Sequence, residues 1–590
     1  MNPARSSSRS YFWNGLAVAS LVHAGTALAL RIENGDNPIQ LDFTEDASLD
    51  YHFTHGNGNI APPSDPNYDP TSDNYFDWIN RFETQLSTGP WHADLRFDSA
   101  LFLNTLQVSD PTSQEGQHLT SLLENRYVNN FEIEKISASY TSPHLDATLG
   151  DFYLSYGRGM VVSLRKIDAL GVDTTLRGAT VTARAGGFSA NVAGGVTNVV
   201  NTDPSTGGVA PDPEDPIVAG RLEYRMAQLF AVGVDAALMW QNLGTLNLTP
   251  YTPAMPNMPP TPTQQTLISP LGLGSVTTEV PTSDTLRAQT LNTGATLELP
   301  NLWNHGNAYV EYVHQRQAES TSLTYGNALY AGVNAYTGDF TLQAELKDYS
   351  GFVAPTFSSL NSRAFTAFYQ QDVYNNPPNL EEIWQEESTT YNTYGPRLRL
   401  DWQLSGHFKP YATFLYFVDK DNAYNIYAAS GGLDANWQQH RSHLTFSGGY
   451  RRQVDNDQSS NPGLLDSTEF WFQYDVIQVL SARYALELDG LHRTHQDSAF
   501  PGYFIWHQGY AYLSLRHSRF SASAGIEYYT QSPNEFQPWY PNVSGSYNIN
   551  QNLLVRAFVG GREAGLRCIN GICRLYPGFN GATLEIVAKY

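Results

Sequence analysis

Residues 91–103 read Trp91-His92-Ala93-Asp94-Leu95-Arg96-Phe97-Asp98-Ser99-Ala100-Leu101-Phe102-Leu103. In an extended chain, successive side chains point to opposite faces. Trp91, Ala93, Leu95, Phe97, Leu101 and Leu103 then share one face, while His92, Asp94, Arg96 and Asp98 share the other. Four ionisable groups in a row cannot sit in hydrocarbon, so their face must meet water while the reverse face is apolar.

The same two-residue period returns in residues 229–241, where Phe230, Val232, Val234, Ala236, Leu238 and Trp240 fall together. It returns in residues 339–348, with Phe340, Leu342, Ala344 and Leu346 against Thr341, Gln343, Glu345 and Lys347. Phe520, Ala522, Ala524, Ile526 and Tyr528 make another such face. A soluble sandwich also alternates, but within about a hundred residues. Propeller blades would repeat every 40 to 50 residues or so, and no such period exists here. The pattern predicts an all-β chain folded as a single large antiparallel transmembrane β-barrel, apolar outside and polar inside.

The connections alternate in length. Thr88-Gly89-Pro90, Gly186-Gly187, Thr337-Gly338, Ser405-Gly406 and His517-Ser518 are tight turns, whereas residues 57–74, 104–122, 201–216 and 351–386 are long and polar. Short turns facing the periplasm and long loops facing outward are the habit of such barrels. Counting segments predicts about 24 strands, within a range of roughly 22 to 26. A barrel that wide cannot be filled by its own strand side chains, so water, inward loops or a partner must occupy it. Residues 242–284 are rich in Pro and Thr, show no strand pattern, and read as a surface loop or one folded into the pore.

At the amino terminus, Arg5 and Arg9 precede a mostly apolar stretch and then Ala27-Leu28-Ala29. This predicts a cleavable signal peptide over residues 1–29, cut after Ala29, with the barrel spanning residues 30–590. No run reaches the 18 or so apolar residues that a spanning helix needs. Mean hydropathy is −0.37, yet aromatic residues make up 13% of the chain, with 36 Tyr. A net charge of −23 argues against nucleic acid as a partner. Leu584, Ile586 and Tyr590 share a face of the last strand. They read as the closing-strand signal for the outer-membrane assembly machinery, and that strand must pair with the first, because an open edge in lipid is costly.

The only cysteines, Cys568 and Cys573, flank Asn570-Gly571, a strong two-residue hairpin signal. They would form a non-hydrogen-bonded cross-strand pair, where Cβ atoms lie closest, and a disulfide is expected in the last external loop, residues 563–578. No nucleophile elbow, zinc-helix or phosphate-loop motif is present, and no enzyme, cofactor or metal is expected. Asp455-Asn456-Asp457 lacks the rest of a calcium loop and reads as a solvated loop, and Glu381, Glu382, Glu386 and Glu387 sit in the loop after Pro377-Pro378, a solvated acidic stretch or a weak cation site. One region is basic: Arg158, Arg165, Arg177 and Arg184 are candidate lumenal selectivity residues, or else pair with acids across a wet wall. Tyr156-Gly157-Arg158-Gly159 reads as a tight turn or inward bend.

Leu149-Gly150-Asp151-Phe152-Tyr153, Tyr156-Gly157-Arg158-Gly159, Gly171-Val172-Asp173 and Leu176-Arg177-Gly178-Ala179 resemble a poorly characterised family of large bacterial outer-membrane porin-like barrels. There is a looser similarity to the barrels of porin–cytochrome conduits. The resemblance implies an outer-membrane location, contact with outer-membrane lipid, and a channel for solutes or ions. The alternative is a scaffold sheathing a periplasmic or electron-transfer partner protein, which would bring any redox cofactor itself.

Overall fold

The computed structural model describes residues 30–32, 37–53, 75–104, 129–167, 172–198, 215–242, 265–268, 275–278, 287–319, 322–352, 374–375, 380, 392–421, 424–439, 441–455, 467–499, 502–530, 538–563, 565–569, 572–576 and 579–589. Twenty-four of its strands form the wall. The first twelve are β1 Ile39–His52, β2 Tyr75–Thr88, β3 Trp91–Leu103, β4 Asn130–Thr141, β5 Leu145–Phe152, β6 Thr175–Ala185, β7 Phe188–Asn198, β8 Pro216–Met226, β9 Phe230–Asn242, β10 Arg287–Leu299, β11 Gly306–Glu319 and β12 Ser322–Thr337. The second twelve are β13 Phe340–Ser350, β14 Thr393–Trp402, β15 Phe408–Asp419, β16 Tyr424–Trp437, β17 Ser442–Asp455, β18 Ser467–Val479, β19 Tyr484–Ala499, β20 Gly502–His517, β21 Phe520–Tyr529, β22 Trp539–Asn550, β23 Leu553–Arg562 and β24 Phe579–Lys589.

Each strand pairs antiparallel with its neighbour in sequence, and β24 returns to β1 over Thr44↔Lys589 to His52↔Gly581. Closure leaves no edge in lipid. Leu30–Ile32 pairs with residues 39–41, the stretch of β1 below the end of β24. No helix among the described residues is long and apolar enough to cross a membrane; strands make the crossing.

The alternation read from residues 91–103 holds. Trp91 and Leu103 are exposed at the two ends of the outward face of β3. On the inward face Arg96 and Asp98 are buried, in an ion pair rather than in open water. Val192, Val234, Leu398 and Leu513 each keep about half or more of their surface open, which in lipid is no penalty.

Aromatic pairs ring both rims. Trp91–Tyr140, Phe188–Tyr224 and Phe340–Trp402 stand 4.9, 4.6 and 5.5 Å apart near the tight turns. Tyr51–Phe76, Tyr416–Tyr427 and Tyr450–Phe470 stand 4.7, 4.9 and 5.0 Å apart at the other end. Such girdles mark the two membrane interfaces. A closed 24-strand barrel with this wall is a protein of the bacterial outer membrane.

At the tight turns, Gly89, Gly186 and Gly338 take φ of 54°, 56° and 56°, a region glycine enters without a Cβ clash. The long loops expected at residues 57–74, 104–122, 201–216 and 351–386 lie almost wholly outside the described residues, as do Ala29 and Tyr590. Two external connections do carry structure. Within residues 242–284, Gln265–Ile268 pairs with Ser275–Thr278, which corrects the expectation of no strand there. The β-branched residues of Ser275-Val276-Thr277-Thr278 suit a strand, and the prolines fall outside both paired segments. In the last loop, Gly565–Ile569 pairs with Ile572–Tyr576, setting Cys568 directly opposite Cys573. Tyr374–Asn375 adds a third strand to this hairpin from the loop between β13 and β14.

Candidate functional site in the barrel lumen

Residues 153–167 and 172–174, between β5 and β6, do not simply loop outside. They fold inward, and two short ladders narrow their neck: Leu154–Ser155 with Ser163–Leu164, and Lys166–Ile167 with Val172–Asp173. Gly157 and Gly159 turn the tip at φ of 57° and 88°, and the Gly159 amide donates to the Tyr156 carbonyl at 2.9 Å. The inward bend expected at Tyr156-Gly157-Arg158-Gly159 is there.

Met160, Val161 and Val162 at this tip are at most 3% exposed. They belong to one apolar core that includes Ile217 of β8, Met239 of β9, Val313 of β11 and Phe417 of β15. The core thus lies inside the barrel, against the inner faces of β6 to β16. Removing each such side chain from water contributes about 1.5–3 kcal/mol. Ala193, Ala219, Ala237 and Ala328 are also buried there, and their small side chains leave room for the segment.

Polar anchors fix the register of this packing. The Arg158 amide donates to Glu311 Oε2 at 2.7 Å, and the Tyr309 hydroxyl donates to the same oxygen at 2.6 Å. The Arg158 guanidinium lies over the Tyr309 ring at 4.9 Å and the Tyr330 ring at 5.9 Å. Asn292 Nδ2 donates to the Val161 carbonyl at 3.0 Å. A Cβ on Gly157 would stand 2.5 Å from Glu311 Oε1, so the carboxylate occupies the space that only glycine leaves open.

At the base of the segment, Asp173 accepts from Arg96 Nη1 at 2.7 Å, from the Tyr153 hydroxyl at 2.6 Å and from Lys135 Nζ. Burial pushes the Asp173 carboxyl upward, but Lys135, Tyr153 and Arg96 together outweigh it and hold the group below the usual carboxylate range. Burial, reinforced by Asp235, pushes the Tyr156 phenol up to about 12.

The wall opposite is polar. Ser514 donates to Ser523 at 2.8 Å, Ser521 and Ser546 share a 2.7 Å hydrogen bond, and Tyr512 donates to Glu527 at 2.6 Å. Asp475 and Asp489 stand directly opposite each other on β18 and β19. Among the described residues, Asp489 has no basic partner; His443 stands 3.7 Å from Asp475, and Arg516 pairs with neighbouring Glu487. Like charges directly opposite on one face repel and attract cations.

The four arginines singled out in the sequence are not brought together. Arg158 is on the inward tip. Arg165 lies between the two neck ladders and is half-buried. Arg184 pairs with Asp146 near the periplasmic end. Arg177 shares its face of β6 with Val181, which is 45% exposed on the outer wall, while Leu176 of opposite parity joins the inward core. Its guanidinium bonds to Asp151 at 3.2 Å and to the Glu134 carbonyl at 2.8 Å. Seven residues of strand separate Arg177 from Arg184, roughly 23 Å, so no ring exists at one level. Pairing with acids, the other reading of these residues, is what Arg177 and Arg184 do. The sequence signal for the inward segment was that the external halves of β8 and β9 are apolar on both faces, as Ile217, Ala219, Ala237 and Met239 attest, whereas Arg221, Glu223 and Asp235 follow on the inner face lower down.

No family model matches the chain, and no curated protein matches it. Among solved structures, it is similar to the siderophore receptor PirA from Pseudomonas aeruginosa, at 9% identity and a TM-score of 0.42, over 93% of this chain and 80% of that one. The alcaligin outer-membrane receptor FauA from Bordetella pertussis matches at 8% and 0.41, over 93% and 76%. The P pilus usher (PapC) translocation pore matches at 8% and 0.37, over 94% and 99%. At identities and TM-scores this low, the likeness carries no functional argument.

Proposed function

We propose that this protein is an outer-membrane channel for small polar solutes or ions, narrowed by its own inward segment around residues 153–167 and preferring cations. One observation carries the reading: the segment is seated by an apolar core and hydrogen bonds against one side of the lumen. The facing wall keeps hydroxyls and carboxylates, including the opposed Asp475 and Asp489. Water follows the polar side, and the unneutralised acids there draw cations. The alternative, a barrel that sheathes a periplasmic partner, needs the lumen free for that partner, and the inward segment takes part of that space.

The test is single-channel recording of the purified barrel in a planar bilayer, with the reversal potential read in a KCl gradient. Small, steady, cation-preferring conductance supports the proposal, and Asp475→Asn with Asp489→Asn should reduce the preference. A barrel that conducts nothing, even with residues 157–161 replaced by a short glycine-rich turn, refutes it.

A further inference from the structure

We infer that Asp50, His52 and Asp77 form a binding site for one divalent transition-metal cation at the external rim of the barrel, beside the seam where it closes. Asp50 and His52 are two residues apart on β1 and so share the inward face. Asp77 lies directly opposite Asp50 on β2. One ligand atom from each of the three residues falls within 4.8 Å of the others.

Two features point to a cation rather than a mere acidic cluster. The Asp77 side chain is 1% exposed, and among the described residues one of its oxygens, Oδ1, has no hydrogen-bond partner; nor has Asp50 Oδ1. A buried carboxylate oxygen left without a donor is expensive, and two carboxylates facing each other on one strand pair repel. A positive ion between them removes both costs at once. The surroundings are also rigid. The His52 ring lies flat on Tyr75, with centroids 4.3 Å apart and planes 2° apart, and Phe579 meets it edge-on at 5.1 Å. Thr583 of β24 hydrogen-bonds to Asp50, and Asp50↔Thr583 is a rung of the seam itself. A cation here would brace the strands at the closure.

The donor set selects the ion. Two carboxylate oxygens and an imidazole nitrogen suit Zn²⁺ or Mn²⁺; no thiolate is present for a soft ion, and calcium or magnesium would prefer oxygen alone. His52 Nε2 and Asp77 Oδ2 are 2.6 Å apart, bridged by a hydrogen bond. Bonds to a cation at about 2.0–2.2 Å in tetrahedral geometry would spread such a pair to roughly 3.4 Å, a shift of somewhat under an ångström that rotation of the Asp77 carboxylate can supply. Three protein ligands leave a position for water or an anionic group of a solute.

The experiment uses the full barrel in detergent, stripped with a chelator and titrated with Zn²⁺ alone by calorimetry, with bound metal counted by mass spectrometry. One Zn²⁺ per chain is expected, with affinity at least tenfold weaker in His52→Gln or Asp77→Asn and no competition from equal Ca²⁺. No uptake, or uptake unchanged in the double variant, overturns the site. Heat-dependent gel mobility reports whether each variant is folded. Should the variants fail to fold, X-ray absorption at the zinc edge of the wild-type protein decides: a shell of one imidazole with oxygens supports the site, and sulfur ligands or an all-oxygen shell overturn it.

Discussion

Gly157→Ala should release the segment that narrows the lumen. Gly157 sits at φ of 57°, where an L side chain costs roughly 1–2 kcal/mol. The new methyl would also stand 2.5 Å from Glu311 Oε1 and 2.6 Å from its Cδ. Glu311 has to move, and moving breaks the bonds it accepts from the Arg158 amide at 2.7 Å and the Tyr309 hydroxyl at 2.6 Å. A hydrogen bond to a charged group is worth about 1.5–3 kcal/mol. Strain and the loss of one of these two bonds together come to about 2.5–5 kcal/mol. At 1.4 kcal/mol per tenfold, the balance between seated and released forms shifts by roughly two to three and a half powers of ten. Local segments open with free energies well below that of the whole fold, so the barrel itself should stay intact and heat-resistant on a gel. Single-channel recording should show a larger conductance or frequent steps to one, and Glu311→Ala should show the same. If Gly157→Ala conducts like wild type, with the barrel folded, the segment does not control the passage and the reasoning fails.

Asp173 sets how the segment responds to acid. Its carboxyl is held below the usual range by Lys135, Tyr153 and Arg96 against the upward push of burial, so its contribution is present above its unfolded value near 4 and lost as pH falls below that. Conductance should stay constant from neutral pH down to about pH 4 and rise only under stronger acid; a rise already at mildly acidic pH contradicts this. Val192 is 64% exposed on the outer face of β7, so Val192→Arg should cost about 2–4 kcal/mol in urea unfolding from lipid vesicles, whereas Ser546→Arg, on the lumenal wall, should cost far less. Equal losses would show that the two faces are misassigned. Cys568 and Cys573, opposite each other beside the turn, are expected to resist alkylation until a reductant is added; two thiols labelled in the untreated folded protein would rule the disulfide out.

The wall was legible because its rule is local. Trp91 to Leu103 alternate for the same reason at every turn of the barrel: hydrocarbon on one side and water on the other act on each residue separately, whatever strand comes next. The strand count of about 24 and the seam at the last strand follow from that rule and from the cost of an open edge. Residues 145–166 resisted it, because the inward segment trades lipid for protein and its apolar Met160, Val161 and Val162 follow no period of two. Arg177 also misled: its basic neighbourhood suggested the lumen, but its parity is that of Val181, and Asp151 holds it within the wall.

What the tertiary structure alone decided are the meetings between distant residues. Arg158 reaches Glu311 across 153 positions of chain, and Asp50 and His52 meet Asp77 only because β1 and β2 pair in one register out of several possible. Side-chain alternation states which face a residue takes, but not which residue faces it. That depends on strand register and on where an inward segment finds space, and both are set by the closed barrel as a whole.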